Sequence, residues 1–375
     1  MQSVSKVLIV GGGIGGLALS IGLRKAGIDV EVVEIKQQWT VYHVGIIAQS
    51  NLVRAMVSLG IADDCVAAGF SYQCVRFCDA NGNVWSESPG VKLAGPKYPA
   101  YLGLTRPALH NVLFAAAQRA GVRVRLGVTV ARLTQSEAKV TVQFTDGDAS
   151  DYNFVVGADG VHSQIRTMIF GGHLTPKFTG EGVWRYNVPR PADVDYGSIY
   201  ASREGPKAGL IPLTREAAYI FRIGPEPGNP RFPKDKLADI MRERLKPFGG
   251  AIGELARGIT DPELVVYRPL ESVLVREPWY RGRVAVIGDA AHSITPHLGQ
   301  GAAQTVEDAV VLADELGKDG PLRGALDSFV RRRFERCKFI LEASLQIGEW
   351  EMHPDPHADV ANLMAKVGQT VVQPI

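Results

Sequence analysis

The sequence has 375 residues, of which 46% are hydrophobic, enough for one large core or up to three domains. Its 41 lysines and arginines nearly balance 39 aspartates and glutamates, and the net charge is +2 without a block of like charges. This balance argues against nucleic acid or a membrane as a partner. Four cysteines are too few for a disulfide framework, and Cys74 with Cys78 lacks the second ligand pair of a structural zinc site. We therefore expect reduced thiols, no metal ion and a cytoplasmic protein without a membrane anchor.

The chain begins with a pattern typical of a βαβ unit. Lys6–Val10 is a short β-branched run that predicts a strand, residues 17–26 predict a helix, and Asp29–Glu34 predicts a second strand. Units of this kind build parallel sheets that are covered by helices, so the first domain is expected to be α/β.

The turn between the first strand and the helix carries the motif G-x-G-x-x-G. Its glycines are Gly11, Gly13 and Gly16, with Gly15 inside the motif. Glycine permits a tight turn and a close approach of the backbone to a pyrophosphate, whose charge would lie at the helix N-terminus. Glu34 follows Gly16 by 18 residues, where a carboxylate can accept hydrogen bonds from a ribose diol. A glycine-rich turn in an ordinary α/β protein is the alternative.

The later segments change periodicity several times. The predicted elements are a helix over 109–120, strands over 122–126, 128–133 and 140–144, and helices over 300–316 and from 322 to about 351. Asp146-Gly147 is a hairpin turn signal. From 177 to about 267, short alternating strands with frequent prolines and aromatics predict an antiparallel sheet in a second domain. The tail after His353 is expected to be loop-rich or a short helix.

Two further motifs follow apolar strands. The first is G-A-D-G at residues 157–160, and the second is G-D at residues 288–289. Pro296 and the tripeptide G-Q-G at residues 299–301 come shortly afterwards. With the N-terminal motif, these three motifs occur in an order and at a spacing that resemble the single-component flavoprotein aromatic hydroxylases. This is the family of 4-hydroxybenzoate, salicylate, urate and hydroxypyridine-carboxylate monooxygenases, and the resemblance extends from Lys6 to about Arg336.

The resemblance implies an α/β fold with a Rossmann-like FAD-binding domain of the glutathione-reductase type, an inserted antiparallel-sheet substrate domain and C-terminal helices. The expected FAD-binding domain is discontinuous and comprises residues 1–71, 100–176 and 271–345. The substrate domain would comprise residues 72–99 and 177–270, and residues 346–375 would form the tail.

The resemblance also implies a non-covalent FAD. Glu34 would hold the adenosine ribose, Arg106 the pyrophosphate and ribityl region, the Val130 backbone the adenine, and Asp289 the ribityl hydroxyls. Asp159 matches an Asp-Gly motif that supports FAD and the nicotinamide donor, although a purely structural turn is the alternative. The complete expected set is Gly11, Gly13, Gly15, Gly16, Glu34, Arg106, Val130, Asp159, Gly160, Gly288, Asp289, Gly299, Gln300, Gly301 and Ala302.

The loop formed by residues 299–302 is expected to begin a helix. Its free N–H groups and the positive end of the helix dipole would favour the negative charge that develops near the flavin N1 and C2 carbonyl on reduction. The loop at residues 41–47 departs from the family pattern, because Gly45 is present and the usual arginine is not. His43 is therefore either a polar neighbour of the flavin or a routine loop histidine.

The substrate pocket is expected between the sheet of the second domain and the flavin edge. Aromatic and basic residues recur in that domain and would suit a planar phenol or an aromatic acid held by a cation: Trp184, Arg185, Tyr186, Tyr200, Lys207, Tyr219 and Arg222. Strand aromatics more often belong to a core. The expected substrate-side residues are Tyr219, which aligns with a substrate-contacting tyrosine of the hydroxypyridine enzymes, then His297 and Arg185, with Pro296 beside the isoalloxazine.

The function implied by the resemblance is FAD-dependent monooxygenation. NAD(P)H would reduce FAD, and O2 would form a C4a-hydroperoxide that hydroxylates a small aromatic or heteroaromatic substrate. The sequence offers one dinucleotide motif, so NAD(P)H would bind transiently. An FAD oxidase or dehydrogenase on the same fold and a non-catalytic flavin-binding protein are the alternatives, because a fold alone does not fix a function. A monomer or a homodimer is expected.

Overall fold

Strands and helices alternate through residues 4–202 and 205–375, the part of the chain that the computed structural model describes. The strands are β1 Lys6–Val10, β2 Asp29–Glu34, β3 Gly45–Gln49, β4 Phe70–Tyr72, β5 Cys74–Asp79, β6 Val84–Pro89, β7 Tyr101–Thr105, β8 Arg123–Leu126, β9 Val130–Gln135, β10 Val140–Phe144, β11 Ala149–Tyr152, β12 Phe154–Gly157, β13 Lys177–Pro189, β14 Gly197–Ala201, β15 Lys207–Pro212, β16 Ala217–Pro225, β17 Val266–Leu274, β18 Tyr280–Arg281 and β19 Val284–Val286.

The α-helices are α1 Ile14–Lys25, α2 Ser50–Leu59, α3 Ala62–Ala68, α4 Arg106–Arg119, α5 Gln164–Phe170, α6 Leu237–Leu245, α7 Gly250–Ala256, α8 Asp289–His292, α9 Gly301–Leu316, α10 Leu322–Met352 and α11 Val360–Val372. Short 3₁₀ helices occupy Lys234–Lys236, Pro262–Leu264 and Pro296–Leu298. Within the described ranges, none of the helices combines the length and the apolar character needed to cross a bilayer.

A six-stranded sheet in the order β18-β19-β12-β1-β2-β8 forms the first layer. Its neighbouring strands are parallel except for the antiparallel β18-β19 pair. The central strands are continuous apolar runs because both of their faces are covered. Helices α1 and α9 pack so closely that a Cβ on Gly22 would lie 2.8 Å from the Ala313 Cβ. The expected Rossmann-like α/β fold is confirmed.

The glycine-rich turn lies at the carboxyl edge of this sheet. Gly11 adopts φ +109, and a Cβ there would lie 2.4 Å from the Ala158 carbonyl oxygen. A Cβ on Gly16 would lie 1.9 Å from the Gly11 carbonyl oxygen. Side chains at these two positions would displace backbone, so both glycines are required for the turn to pass between β2 and β12.

The second large sheet has seven strands in the order β17-β13-β16-β15-β14-β5-β6. Neighbours are antiparallel, as expected, except for the parallel β14-β5 pair, which the long chain connection between these strands permits. Strand β17 crosses the domain boundary expected at residue 270, and its far end bridges Ser293 and His292. The seven-stranded sheet therefore continues without a linker into the third motif.

The two faces of the seven-stranded sheet have different partners. One face packs Trp184 and Ile220 against the buried Met241 and Phe248, which belong to α6 and the segment that follows it. The antiparallel sheet was expected from 177 to about 267, but within that stretch Leu237–Leu245 and Gly250–Ala256 form α6 and α7. The opposite face carries Tyr219 together with the other members of a separate apolar cluster. Beyond residue 353 the tail forms α11, a helix of 13 residues.

Candidate cofactor and substrate site

A cavity of about 890 Å³ lies between the carboxyl edge of the parallel sheet and the seven-stranded sheet. We call it the main cavity. The residues singled out from the sequence that line it are Gly13, Gly15, Glu34, Arg106, Gly160, Arg185, Tyr219, Asp289, Pro296, Gly299, Gly301 and Ala302. Three separate sequence motifs and the second sheet thus converge on one space.

The first wall of the main cavity is the N-terminus of α1. Gly13 is the N-cap residue and provides no side-chain cap, so the first N–H groups of the helix remain open toward the cavity. Glu34 accepts hydrogen bonds from the Gly12 N–H at 2.9 Å and from the Lys36 N–H at 3.1 Å, which fixes its carboxylate beside the turn. A carboxylate has further lone pairs available for a diol. These groups fit the pyrophosphate and ribose of a dinucleotide.

The third motif forms another wall. Gly288 adopts φ +59 and donates its N–H to Asp308 Oδ2 at 3.0 Å. The next residue, Asp289, faces the main cavity, and no described residue donates a hydrogen bond to its carboxylate. Burial by the surrounding protein raises the pKa of Asp289, whereas the charges of His292 and Arg106 lower it. The carboxylate can accept hydrogen bonds from a ligand.

The loop before α9 also borders the main cavity. Gly299 adopts φ +65, and a Cβ there would lie 2.9 Å from Gln49 Nε2. Gln300 is the N-cap residue of α9 and its buried side chain does not cap the helix. Instead it donates from Nε2 to Gln49 Oε1 at 2.6 Å and accepts from Asn51 Nδ2 at 2.9 Å. Gln300 therefore holds the loop while the helix N-terminus stays open, as a flavin carbonyl would require.

A buried charge network lies beneath these loops. Arg333 of α10 is 0% exposed and contacts Glu307 Oε2 and Asp308 Oδ1, each at 2.8 Å. The other oxygen of Asp308 accepts from the Gly288 N–H and lies 2.6 Å from His292 Nε2. The network connects α9 and α10 to the backbone of the third motif.

Several residues singled out from the sequence do not line the main cavity: Gly11, Gly16, Val130, Asp159, Gly288, Gln300 and His297. Asp159 accepts from the Ser163 hydroxyl at 2.5 Å and from the Gln164 and Ile165 N–H groups at 2.8 and 3.1 Å. Burial raises the pKa of Asp159, opposed by these hydrogen bonds. Its carboxylate caps α5, which is the structural alternative that the sequence left open. Val130 is buried in β9.

The substrate-side candidates separate according to strand periodicity. Successive side chains of a strand point to opposite faces, so Arg185 lines the main cavity while its neighbour Trp184 lies in the opposite core. In β16 the same alternation brings Tyr219 into the cavity and turns Arg222 toward Glu226.

Arg106 and Arg185 bring two positive charges to the cavity. Within the described ranges, neither guanidinium has a carboxylate within 4.0 Å. Burial, together with the charge of Arg106, lowers the pKa of Arg185 to about 10, so Arg185 is charged at neutral pH. Burial raises the pKa of Tyr219, opposed by the two arginines, and keeps its phenol neutral. The cavity is therefore cationic where it meets the second sheet.

Sequence reasoning missed an aromatic pair beside the glycine turn. Trp39 and His110 line the main cavity with ring centroids 4.6 Å apart. A Cβ on Gly12 would lie 2.6 Å from the Trp39 ring. Burial lowers the pKa of His110, and its Nε2 lies 3.0 Å from the Gly12 carbonyl oxygen, to which the neutral ring donates. Because His110 follows Arg106 by four residues on α4, helical spacing could have indicated it.

The loop that departs from the family pattern contacts the second sheet. His43 Nε2 lies 2.8 Å from the Leu264 carbonyl oxygen, and the His43 carbonyl accepts from Asn187 Nδ2 at 2.9 Å. His43 does not line the main cavity. Of the two interpretations of His43, this favours a routine loop histidine over a polar neighbour of the flavin. A Cβ on Gly45 would lie 2.2 Å from Tyr219 Cδ1, so glycine is needed there for Tyr219 to keep its position.

His297 points away from the main cavity, although Pro296 lines it. The His297 side chain is 1% exposed and lines a second cavity of about 400 Å³, where its Nε2 lies 3.0 Å from Glu181 Oε2. It is therefore not brought together with Arg185 and Tyr219.

Comparison with known proteins gives consistent results. The family model for the FAD binding domain matches residues 4–338. The chain is 32% identical over 357 residues to 2-heptyl-3-hydroxy-4(1H)-quinolone synthase of Pseudomonas aeruginosa, which covers 92% of this chain and 90% of that protein. It is 30% identical over 348 residues to the FAD-dependent urate hydroxylase of Klebsiella oxytoca, covering 90% and 88%. The solved structure of Klebsiella pneumoniae HpxO complexed with FAD and uric acid shares the fold, with a TM-score of 0.86, 24% identity and coverage of 100% and 94%.

Proposed function

Because the chain belongs to the FAD binding domain family and is an FAD-dependent monooxygenase, we propose that it hydroxylates a small anionic aromatic substrate bound by Arg185. The substrate would be an aromatic acid or an ionised phenol. The single observation that carries this choice is the Arg185 guanidinium, which lines the main cavity without a carboxylate partner among the described residues. An uncompensated charge in a protein interior is costly, so a ligand anion is the natural partner.

The FAD side of the proposal uses the opposite half of the main cavity. Support comes from the open N-terminus of α1, the fixed carboxylate of Glu34 and the carboxylate of Asp289, to which no described residue donates a hydrogen bond. In this assignment the pyrophosphate lies at α1, the ribose at Glu34 and the ribityl chain at Asp289. Arg106 then balances the pyrophosphate charge, which leaves Arg185 for the substrate.

The chemistry combines the cofactor with two side chains. FAD, when bound, takes two electrons from NAD(P)H and enables the transfer of one oxygen atom from O2 to the substrate. Arg185 would favour the ionised form of a phenol, whose ring is richer in electrons and more readily hydroxylated. Tyr219 stays neutral and can donate its hydroxyl hydrogen to an oxygen of the substrate. Apolar neighbours such as Val183 and Phe221 exclude water around the ring.

Purified protein should be yellow, and acid or heat should release FAD, since no covalent attachment is expected. With an aromatic acid or phenol as substrate, NAD(P)H consumption should rise and the product mass should increase by one oxygen atom. The measurements are flavin absorbance, NADH and NADPH oxidation with each of a panel of ligands, and mass spectrometry of products. Peroxide formation with an oxidised but unhydroxylated product would instead identify an oxidase and refute hydroxylation.

Replacing Asp289 with alanine should weaken FAD binding by about 1 to 3 kcal/mol, because the ribityl hydroxyls would lose a buried acceptor. Titration of the FAD-free protein with FAD, followed by fluorescence, measures the change. Glu271→Gln is the matched control, since this carboxylate also lines the main cavity but pairs with His162 at 3.1 Å. Equal FAD affinity in Asp289→Ala and the control would refute the ribityl assignment.

A cytoplasmic location and a monomeric or homodimeric state complete the proposal. The four cysteines, which form no disulfide among the described residues, support the location. Light scattering of the FAD-loaded protein measures the oligomeric state.

A further inference from the structure

The second cavity brings together three side chains from distant parts of the chain. Glu181 comes from β13, His297 from the 3₁₀ helix that follows the third motif, and Glu351 from the last turn of α10. Glu181 and His297 are 2% and 1% exposed, whereas Glu351 is 24% exposed at the rim. Their ligating atoms all lie within 4.8 Å of one another. We call these three residues the EHE cluster.

The hydrogen bonds on the far side of His297 define its tautomer. The Ser344 hydroxyl donates to the Thr295 carbonyl oxygen at 2.8 Å, which uses its single hydrogen. The Thr295 hydroxyl therefore donates to Ser344 Oγ at 2.8 Å and must accept at its own oxygen from His297 Nδ1 at 3.1 Å. Nδ1 thus carries a hydrogen, and in the neutral ring Nε2 presents a lone pair to the carboxylates.

This arrangement leaves three acceptors facing one another. His297 Nε2 lies 3.0 Å from Glu181 Oε2 and 3.6 Å from Glu351 Oε2. Nε2, Glu181 Oε1 and Glu351 Oε2 are buried atoms without a hydrogen-bond partner among the described residues. Lys207 Nζ contacts the other oxygen of Glu351 at 2.6 Å. The buried Arg222 guanidinium pairs with Glu226 and acts on Glu181 only as a more distant charge. Among residues 4–202 and 205–375, no hydrogen-bond donor lies between these three atoms when the ring is neutral, and a bound cation would fill this position.

We infer that the EHE cluster binds one divalent transition-metal ion of the Zn²⁺ type. One imidazole and two carboxylates are donors that Zn²⁺ accepts, at metal–ligand distances of about 2.0 to 2.2 Å. In a tetrahedral site such distances separate the ligand atoms by roughly 3.3 to 3.6 Å, close to the separations around Nε2. The hydrogen bond from Nδ1 to Thr295 is the type of outer contact that orients a metal-binding histidine.

The neighbouring backbone leaves space for the ion and for water. A Cβ on Gly348 would lie 2.8 Å from Glu181 Oε2 and 2.9 Å from His297 Cε1, so glycine is what allows α10 to pass over the EHE cluster. The cavity of about 400 Å³ beside it can supply water as a fourth ligand.

A second group of potential metal ligands has no open position for an ion at its centre. His292, Asp308 and Cys337 also lie close together and are buried. However, Arg333 contacts Asp308 Oδ1 at 2.8 Å and Cys337 Sγ at 3.3 Å, so a cation already occupies the centre of that group. The EHE cluster has no guanidinium in this role within the described ranges.

Zn²⁺ binding to the FAD-loaded enzyme tests the inference. After treatment with a chelator and dialysis, the wild-type protein should bind one Zn²⁺ per chain in competition with a chromophoric chelator, and Zn²⁺ should raise its Tm. Co²⁺ should give the visible absorption of a tetrahedral site. Glu181→Gln and His297→Asn should abolish Zn²⁺ binding with its rise in Tm and also the Co²⁺ absorption. Glu351→Gln should weaken Zn²⁺ binding at least tenfold.

His173→Ala is the matched control, because His173 also faces a glutamate, Glu277 at 3.9 Å, but on the surface. This variant should bind Zn²⁺ like the wild type. FAD absorbance of each variant verifies the fold, and the partly exposed Glu351 provides a readout if the two buried substitutions prevent folding. Equal Zn²⁺ binding by wild type and His297→Asn would place the ion elsewhere and overturn the inference. The absence of Zn²⁺ binding by the wild type would also overturn it and would favour a proton on Nε2 as the cation that balances the carboxylates. Neither result would affect the proposed hydroxylation.

Discussion

Replacing Arg333 with methionine is expected to lower the free energy of unfolding by about 3 to 5 kcal/mol, the usual effect of removing one partner from a buried ion pair. The change removes the one guanidinium that contacts Asp308 among the described residues and leaves this buried carboxylate with His292 at 2.6 Å. Glu307 also loses Arg333 but keeps Arg336 at 3.0 Å. Burial tends to raise the pKa of Asp308, but the charges of His292 and Arg333 lower it below its ordinary value. A lowered carboxylate pKa stabilises the fold above the unfolded pKa, and this contribution is lost as pH falls.

Urea unfolding of the wild type and Arg333→Met at several pH values measures this effect. The difference in stability should be largest near neutral pH and should narrow as the pH falls below about 4, the ordinary range of an aspartate. Arg331→Met is the matched control, since this exposed arginine of the same helix donates to the Ser328 hydroxyl at 3.0 Å and should change stability by less than about 0.5 kcal/mol. Similar unfolding curves for both variants would show that the network contributes little.

Arg185→Met should lower kcat/KM for an anionic aromatic substrate by roughly 30-fold or more. Removing one partner of a buried charge pair costs about 2 kcal/mol or more. The reason is that the substrate anion would enter the main cavity unpaired. Steady-state kinetics with a hydroxylated ligand, together with FAD content, give the measurement. FAD content should remain normal, since Arg185 lies on the second sheet rather than at the pyrophosphate end.

Arg268→Met separates this specific contact from the general charge of the cavity. Arg268 lines the same cavity but is exposed and stacks on the Tyr42 ring at 4.5 Å. Its removal should change kcat/KM by less than threefold. Equal losses in the two variants would indicate long-range attraction of the anion instead of a direct bond to Arg185.

The sequence predicted the features that depend on residues close together along the chain. Strands Lys6–Val10, Asp29–Glu34 and Val140–Phe144 have the predicted bounds, because their apolar patterns end at glycine or polar turns. The need for glycine at positions 11 and 16 could also be predicted, because a turn in which backbone contacts backbone this closely leaves no space for a Cβ.

Contacts between distant segments were beyond this reasoning. Pro296 and His297 are adjacent in sequence, yet they line different cavities, and the cause is the partner Glu181 more than one hundred residues away. Strand alternation implies that Trp184 and Arg185 face opposite sides, but the sequence does not say which side is the cavity. That choice depends on helices α6 and α7, which cover one face and were not predicted.

The continuous strand β17 limits how substrate preference can be re-engineered. Val266 and Leu270 line the main cavity, while Val273 and Leu274 at the other end bridge Ser293 and His292 beside the third motif. Grafting the second sheet of a relative as a cassette would cut this strand midway and disconnect both regions. Chimeras should therefore exchange β13 to β16 and retain all of β17, so that the recipient keeps its own connection between the two sheets.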